Sequence, residues 1–268
     1  PSLAKQLKQG LLDQGASVVD IGLSSTPTFY FAVSFYGYDG GALVTASHNP
    51  KEYNGVKMIR ERAKPLGKGS GMEELQSLVK ENNFVDSEKK GKLIIIEEVL
   101  NEQIKLAKKF ADISKIKPMK IVVDTANAMG VIYLEKMFVD LPQIELVKMN
   151  WDLDGTFPAH QADPFQEKNV VDLQKKIVEV GADLGIATDG DGDRIFFIDN
   201  NGEMAEPAII RGIMAKLFLA DNPGATICYD IRPGKITKDM ILENGGIPSI
   251  TKVGHSYIKR QMLEVGAV

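Results

Sequence analysis

Leu3, Leu7, Leu11 and Leu12 fall at helical spacing, which predicts an opening helix that Gly15 stops. From Ser17 to Ile21 the pattern shortens to alternation, the mark of a short strand. Thr26-Pro27 then opens a second helix to about Tyr36, and Gly41–Thr45 is an apolar strand. A polar loop follows, punctuated by Asn49-Pro50 and Tyr53-Asn54-Gly55, before a strand resumes over Val56–Arg60. The glycine- and lysine-rich residues 61–72 read as a surface loop and Met72–Glu81 as a helix. Gly91 to about Leu100 reads as a strand leading into a connecting helix, so the first unit closes near residue 97.

The rhythm repeats downstream. Lys120–Asp124 is an apolar strand, followed by helix Tyr133–Val139, strand Ile144–Met149, helix Asn169–Val180 and strand Asp183–Ala187. Such alternation predicts a parallel α/β layer, in which ligands gather at the carboxyl ends of strands. A hairpin signal comes next, with strand Arg194–Ile198 and turn Asp199–Gly202. A third segment shows helix 208–220, strand 225–229, helix 235–243, strand 247–252 and helix 256–264. The fold class is therefore α/β, in three units over 1–97, 98–203 and 204–268, the last with too few elements to close a layer.

Length agrees, because 268 residues suit two or three α/β units. A net charge of −4 favours neither nucleic acid nor an acidic membrane as partner, so an anionic substrate needs locally concentrated basic groups. Cys228 is the only cysteine and sits in an apolar strand, which excludes an intrachain disulfide framework and predicts core packing. There is no apolar run of membrane-spanning length and no visible secretory signal, and the expected location is the cytoplasm.

Two loops carry candidate chemistry. Thr45-Ala46-Ser47-His48-Asn49-Pro50 presents a serine beside a histidine, with Lys57 ten residues on and predicted to fold back towards it. Asp189-Gly190-Asp191-Gly192-Asp193-Arg194 follows directly on a strand. In an extended or gently curved loop, alternate aspartates point to one side. Three carboxylates held together repel and need protons or a cation. All-oxygen ligands at this density suit Mg²⁺ better than zinc. A calcium loop of the EF-hand type fits badly: its sixth and twelfth positions call for glycine and glutamate, and Arg194 and Asn200 stand there. Three aspartates and a divalent cation still leave net negative charge, so a phosphate there needs Arg194 and Lys57 as counter-charges. Taken separately, Arg194 and Lys57 are ordinary surface charges and Ser47 an ordinary turn residue. Neither a Gly-x-Ser-x-Gly elbow nor a Walker-type loop is present.

Together the serine loop, Tyr53-Asn54-Gly55-Val56-Lys57 and the Asp189–Arg194 loop resemble the active-site signatures of the α-D-phosphohexomutases, nearest their phosphomannomutase/phosphoglucomutase branch. Asp154-Gly155-Thr156-Phe157-Pro158 with His160, and residues 252–259 around His255, match the same pattern, so the resemblance covers the whole chain. It implies consecutive related α/β/α mixed-sheet domains, with Ser47 as a phosphoserine. Its phosphate would complete a Mg²⁺ shell with Asp189, Asp191 and Asp193, one ion per active site. His48, Lys57 and Arg194 would surround the transferring group, with Lys57 as general acid/base. Arg232 and His255 would contact the sugar phosphate, although His255 alone reads as a solvated residue at a helix start.

The reaction so implied interconverts hexose 6-phosphate and hexose 1-phosphate of mannose or glucose, with hexose 1,6-bisphosphate as intermediate and activator. Phosphoglucosamine mutase chemistry is the nearest alternative, and a non-catalytic phosphate- or metal-binding fragment is another. Against the family pattern the chain starts after an arginine-containing segment and stops before a sugar-selecting loop and a fourth domain. It is expected to be a fragment that keeps the phosphoryl-transfer centre. No oligomeric state is legible.

Overall fold

The computed structural model describes residues 2–82, 84 and 87–268. The chain divides into two compact units, one of residues up to 63 with 68–203, the other of residues 64–67 with 204–268. In the first unit the elements run α1 (Ser2–Asp13), β1 (Val18–Asp20), α2 (Thr26–Phe35), β2 (Gly40–Val44), β3 (Val56–Arg60), α3 (Met72–Lys80), β4 (Leu93–Ile95) and α4 (Val99–Phe110). They continue with β5 (Met119–Asp124), α5 (Gly130–Phe138), β6 (Ile144–Met149), α6 (Val171–Val180), β7 (Leu184–Thr188) and β8 (Ile195–Asp199).

The main sheet has the strand order β6-β5-β7-β8. β5 pairs parallel with both β6 and β7, whereas β7 pairs antiparallel with β8. The mixed sheet expected from the resemblance is therefore present. The acidic residues 189–194 form the β7–β8 hairpin connection, so β8 finds its partner upstream and not across the turn at Asp199–Gly202. That turn exists as a local bend closed by Gly202 N donating to Asp199 O at 3.0 Å.

Burial on both faces explains the unbroken apolar run of β5. Ile121 and Val123 pack with Leu134 of α5 and Ile186 of β7 on one face. On the other, Val122 stands in register with Gly185, which in turn opposes Ile198. A Cβ at Gly185 would lie 2.2 Å from Ile177 Cδ1, so glycine lets α6 press directly onto the sheet. Val122, Ile177 and Ile198 are all fully buried.

Around this layer, β1 and β4 pair parallel, and β2 and β3 form an antiparallel hairpin that presents the serine loop at its tip. Behind the hairpin Phe29 and Val33 of α2 pack on Ile59. A 3-10 turn at Glu61–Ala63 interrupts the loop expected over 61–72, and α5 begins at Gly130, three residues before the expected start. The second unit has α7 (Pro207–Asp221), β9 (Thr226–Asp230), α8 (Gly234–Glu243), β10 (Ile247–Thr251) and α9 (His255–Val265), with β9 and β10 parallel. Its core gathers Ala215, Leu219, Tyr229 and Ile241. Among the described residues no helix is long and apolar enough to cross a membrane.

Candidate active site

The serine loop is shaped by its own polar groups. Ser47 N donates to Thr45 Oγ1 at 2.9 Å and Asn49 N to Ala46 O at 3.0 Å. Ser47 itself lies in the left-handed region at φ 56°, a conformation a non-glycine residue holds only where its surroundings enforce it.

The acidic loop is a tight turn, not the extended segment that alternation suggested. Gly192 takes φ 71°, and Gly192 N donates to Asp189 O at 3.2 Å. Asp193 N and Arg194 N both donate to Asp189 Oδ1 at 3.1 Å. The turn, and not period-two geometry, brings one carboxylate oxygen of each of Asp189, Asp191 and Asp193 within 4.8 Å of the others.

The two loops meet across 144 residues of chain. Ser47 Oγ donates to Asp191 Oδ1 at 3.2 Å, and His48 Nδ1 lies 3.3 Å from the same hydroxyl. Glycine permits this approach, since a Cβ on Gly190 would stand 2.2 Å from Ser47 O. Lys57 reaches the acidic loop rather than the serine, donating to Asp191 Oδ2 at 2.5 Å and Asp193 Oδ2 at 2.9 Å. Arg194 Nε lies 3.6 Å from Asp189 Oδ2 and 3.7 Å from Asp193 Oδ1, its guanidinium over the Phe165 ring.

The electrostatics are those of an under-compensated acidic cluster. Burial, reinforced by the charges of Asp193 and Asp191, pushes the Asp189 carboxyl up to about 7. Burial also works against an ionised Asp191, yet hydrogen bonds from Lys57 and Thr26 outweigh it and hold that carboxyl below its ordinary value. Lys57 mirrors this, because burial disfavours its charge but the bonds to Asp191 and Asp193 keep the ammonium above its usual range. Asp189 Oδ2 is buried and has no hydrogen-bond partner among the described residues. A hard cation with oxygen ligands is what such a donor set accommodates.

Two contributors were not singled out in the sequence. Thr26, read there only as a helix opener, donates from Oγ1 to Asp191 Oδ2 at 2.5 Å and from N to Asp191 O at 2.9 Å. Its Ser-Thr-Pro setting at a helix N-terminus was the available signal, since free amides there favour anions. Gln161 donates from Nε2 to His48 O at 2.9 Å, and nothing in its local sequence marks it. Arg232 and His255 belong to the second unit. Arg232 is folded onto Asp230, its Nε 3.0 and 3.1 Å from the two carboxylate oxygens. His255 opens α9 behind Gly254 at φ 132°.

Comparison with known proteins shows the family. Residues 1–86 match "Phosphoglucomutase/phosphomannomutase, alpha/beta/alpha domain I" and residues 97–202 match domain II of the same family. The chain belongs to the phosphohexomutases, a family of isomerases that move a phosphoryl group. Within it, a Vibrio cholerae phosphomannomutase is 39% identical over 274 residues, covering 100% of this chain and 58% of the relative. A Pseudomonas syringae phosphomannomutase/phosphoglucomutase is 37% identical over 272 residues, covering 100% and 56%. A phosphoglucomutase/phosphomannomutase family protein of Burkholderia thailandensis superposes at TM-score 0.88 with 32% identity, over 100% of this chain and 58% of that one. The branch is thus phosphomannomutase/phosphoglucomutase, and the chain spans 58% and 56% of the length of the two sequence relatives.

Proposed function

We propose that this chain carries the phosphoryl-transfer centre of a mutase interconverting hexose 6-phosphate and hexose 1-phosphate, with mannose or glucose as the sugar. The observation that carries the reading is the Ser47 Oγ–Asp191 Oδ1 contact at 3.2 Å, which brings a nucleophilic hydroxyl to a cluster of three carboxylates. The relatives' names support the sugar class.

In this reading Ser47 is the phosphoryl carrier. A sugar hydroxyl oxygen forms a new P–O bond as the bond to Ser47 Oγ breaks, its proton passing to a base of the site while Ser47 Oγ takes one up, giving a hexose 1,6-bisphosphate, and the reverse step at the other position restores phosphoserine. His48 Nδ1, 3.3 Å from Ser47 Oγ, is positioned to take or return the serine proton. Lys57, held as the ammonium by Asp191 and Asp193, supplies positive charge beside the transferring group and serves as its general acid/base, and Arg194 grips the phosphoryl oxygens. Asp189, Asp191, Asp193 and an oxygen at Ser47 would hold Mg²⁺, Asp189 Oδ2 being buried without a hydrogen bond among the described residues. A bound Mg²⁺ neutralises charge shared between donor and acceptor oxygens. Arg232 and His255 serve as sugar-phosphate contacts, and the division at about residues 97 and 203 separates the serine-bearing, metal-bearing and sugar-contacting domains.

The test is intact mass after incubation with glucose 1,6-bisphosphate and Mg²⁺. A gain of about 80 Da, one phosphoryl group, is expected and must be absent in Ser47→Ala. Interconversion itself is assayed in the full-length protein with mannose 1-phosphate and glucose 1-phosphate. Normal turnover by Ser47→Ala there would overturn the mechanism.

A further inference from the structure

The segment 160–162 touches both loops of the site while contributing no group to the chemistry. The Gln161 side-chain amide donates to the His48 carbonyl at 2.9 Å, on the serine loop. The next residue's carbonyl, Ala162 O, accepts from Gly190 N at 3.1 Å, on the acidic loop. One dipeptide is therefore bonded to both loops, which must stay in register for in-line transfer, where small displacements are costly.

This dipeptide is itself anchored. His160 Nδ1 lies 3.0 Å from Gln161 O, and its Nε2 lies 3.0 Å from Asp124 Oδ2. Asp124 ends β5, is buried, and accepts from Ala126 N at 2.8 Å and from Asn150 Nδ2 at 3.0 Å. β5 is hydrogen-bonded to β7, which delivers the acidic loop, so both loops are referenced to one rigid sheet. The serine loop has most need of an outside hold, because its own bonds fix its shape but not its place, and Ser47 is left-handed.

We propose that Gln161 is a positioning residue, which through the His48 carbonyl fixes Ser47 against the acidic loop, with the Asp124–His160 pair rooting it in the sheet. The proposal rests on the reading of Ser47 as the phosphoryl carrier, and its test separates the two. Gln161→Met keeps side-chain length and removes the donor. Loss of one hydrogen bond predicts a maximal rate of Ser47 phosphorylation by glucose 1,6-bisphosphate about fivefold to tenfold lower. The half-saturating concentration stays unchanged. Amide exchange over residues 45–55 accelerates by a similar factor, with 189–194 and β5 unaffected. His160→Gln shows the same localised pattern. Exchange over 45–55 equal to wild type, or accelerated equally through the sheet, overturns the proposal, as does an unchanged maximal rate in a chain that does phosphorylate. If the wild-type chain takes no phosphoryl group at all, the mutase reading falls, and the exchange data judge the clamp by themselves.

Discussion

Replacing Gly190 by alanine tests the meeting of the two loops most directly. The added Cβ would stand 2.2 Å from the Ser47 carbonyl oxygen, a backbone atom that cannot rotate away. A carbon–oxygen contact relaxes only near about 3.3 Å, so the serine and acidic loops must part by about 1 Å. A misplacement of about 1 Å at a reacting centre costs on the order of a hundredfold in rate. The overpacking itself costs roughly 1–3 kcal/mol of stability, small enough for the fold to survive. The assay is the time course of the phosphoryl mass gain on Ser47 with glucose 1,6-bisphosphate, run beside thermal unfolding. Gly155→Ala is the control, since among the described residues no atom beyond its chain neighbours lies within 4 Å of the added Cβ and it should transfer normally. A Gly190→Ala chain that phosphorylates within about threefold of wild type would refute the claim that this contact sets the distance for transfer.

Two further outcomes follow from the electrostatics. At saturating Mg²⁺, about a hundred times the dissociation constant, the wild-type chain gains about 2.7 kcal/mol, seen as a rise of several degrees in the thermal midpoint. Asp189→Asn abolishes that gain, yet without metal at pH 8 it unfolds no earlier than wild type. The reason is that an Asp189 carboxyl raised to about 7 loses stability as pH rises from its ordinary range through that value. His160 titrates with its own sign. The hydrogen bond to Asp124 outweighs burial and raises its folded value, so its stabilisation is complete below about 6.5 and is lost as pH rises through the folded value. In urea unfolding from pH 5.5 to 9, the advantage of wild type over His160→Gln should therefore shrink towards high pH. An advantage constant with pH would mean that the Asp124 pair holds no proton.

Much of the molecule was legible in residue order. The run Ile121-Val122-Val123 announced an apolar strand, the leucine spacing announced α1 and Thr26-Pro27 announced α2, because each signal reflects local backbone geometry. The clustering of carboxylates in the acidic loop was legible for a related reason. Three carboxylates within five consecutive residues cannot separate, whatever the fold does. Even so, their convergence rests on a turn stabilised by Asp189 and Gly192, where simple alternation suggested an extended path.

What residue order could not supply is which distant groups face one another. Lys57 ends on Asp191 and Asp193, Thr26 caps Asp191, and Gln161 holds the serine loop, each across more than 100 residues. These pairings follow from how helix α2, the β2–β3 hairpin and the loops around the main sheet pack against one another, which tertiary packing decides rather than local preference. The residue sequence thus determined the elements and the donor set. Only the tertiary structure brought Ser47 Oγ to 3.2 Å from Asp191, because a contact across 144 residues has no local period to announce it.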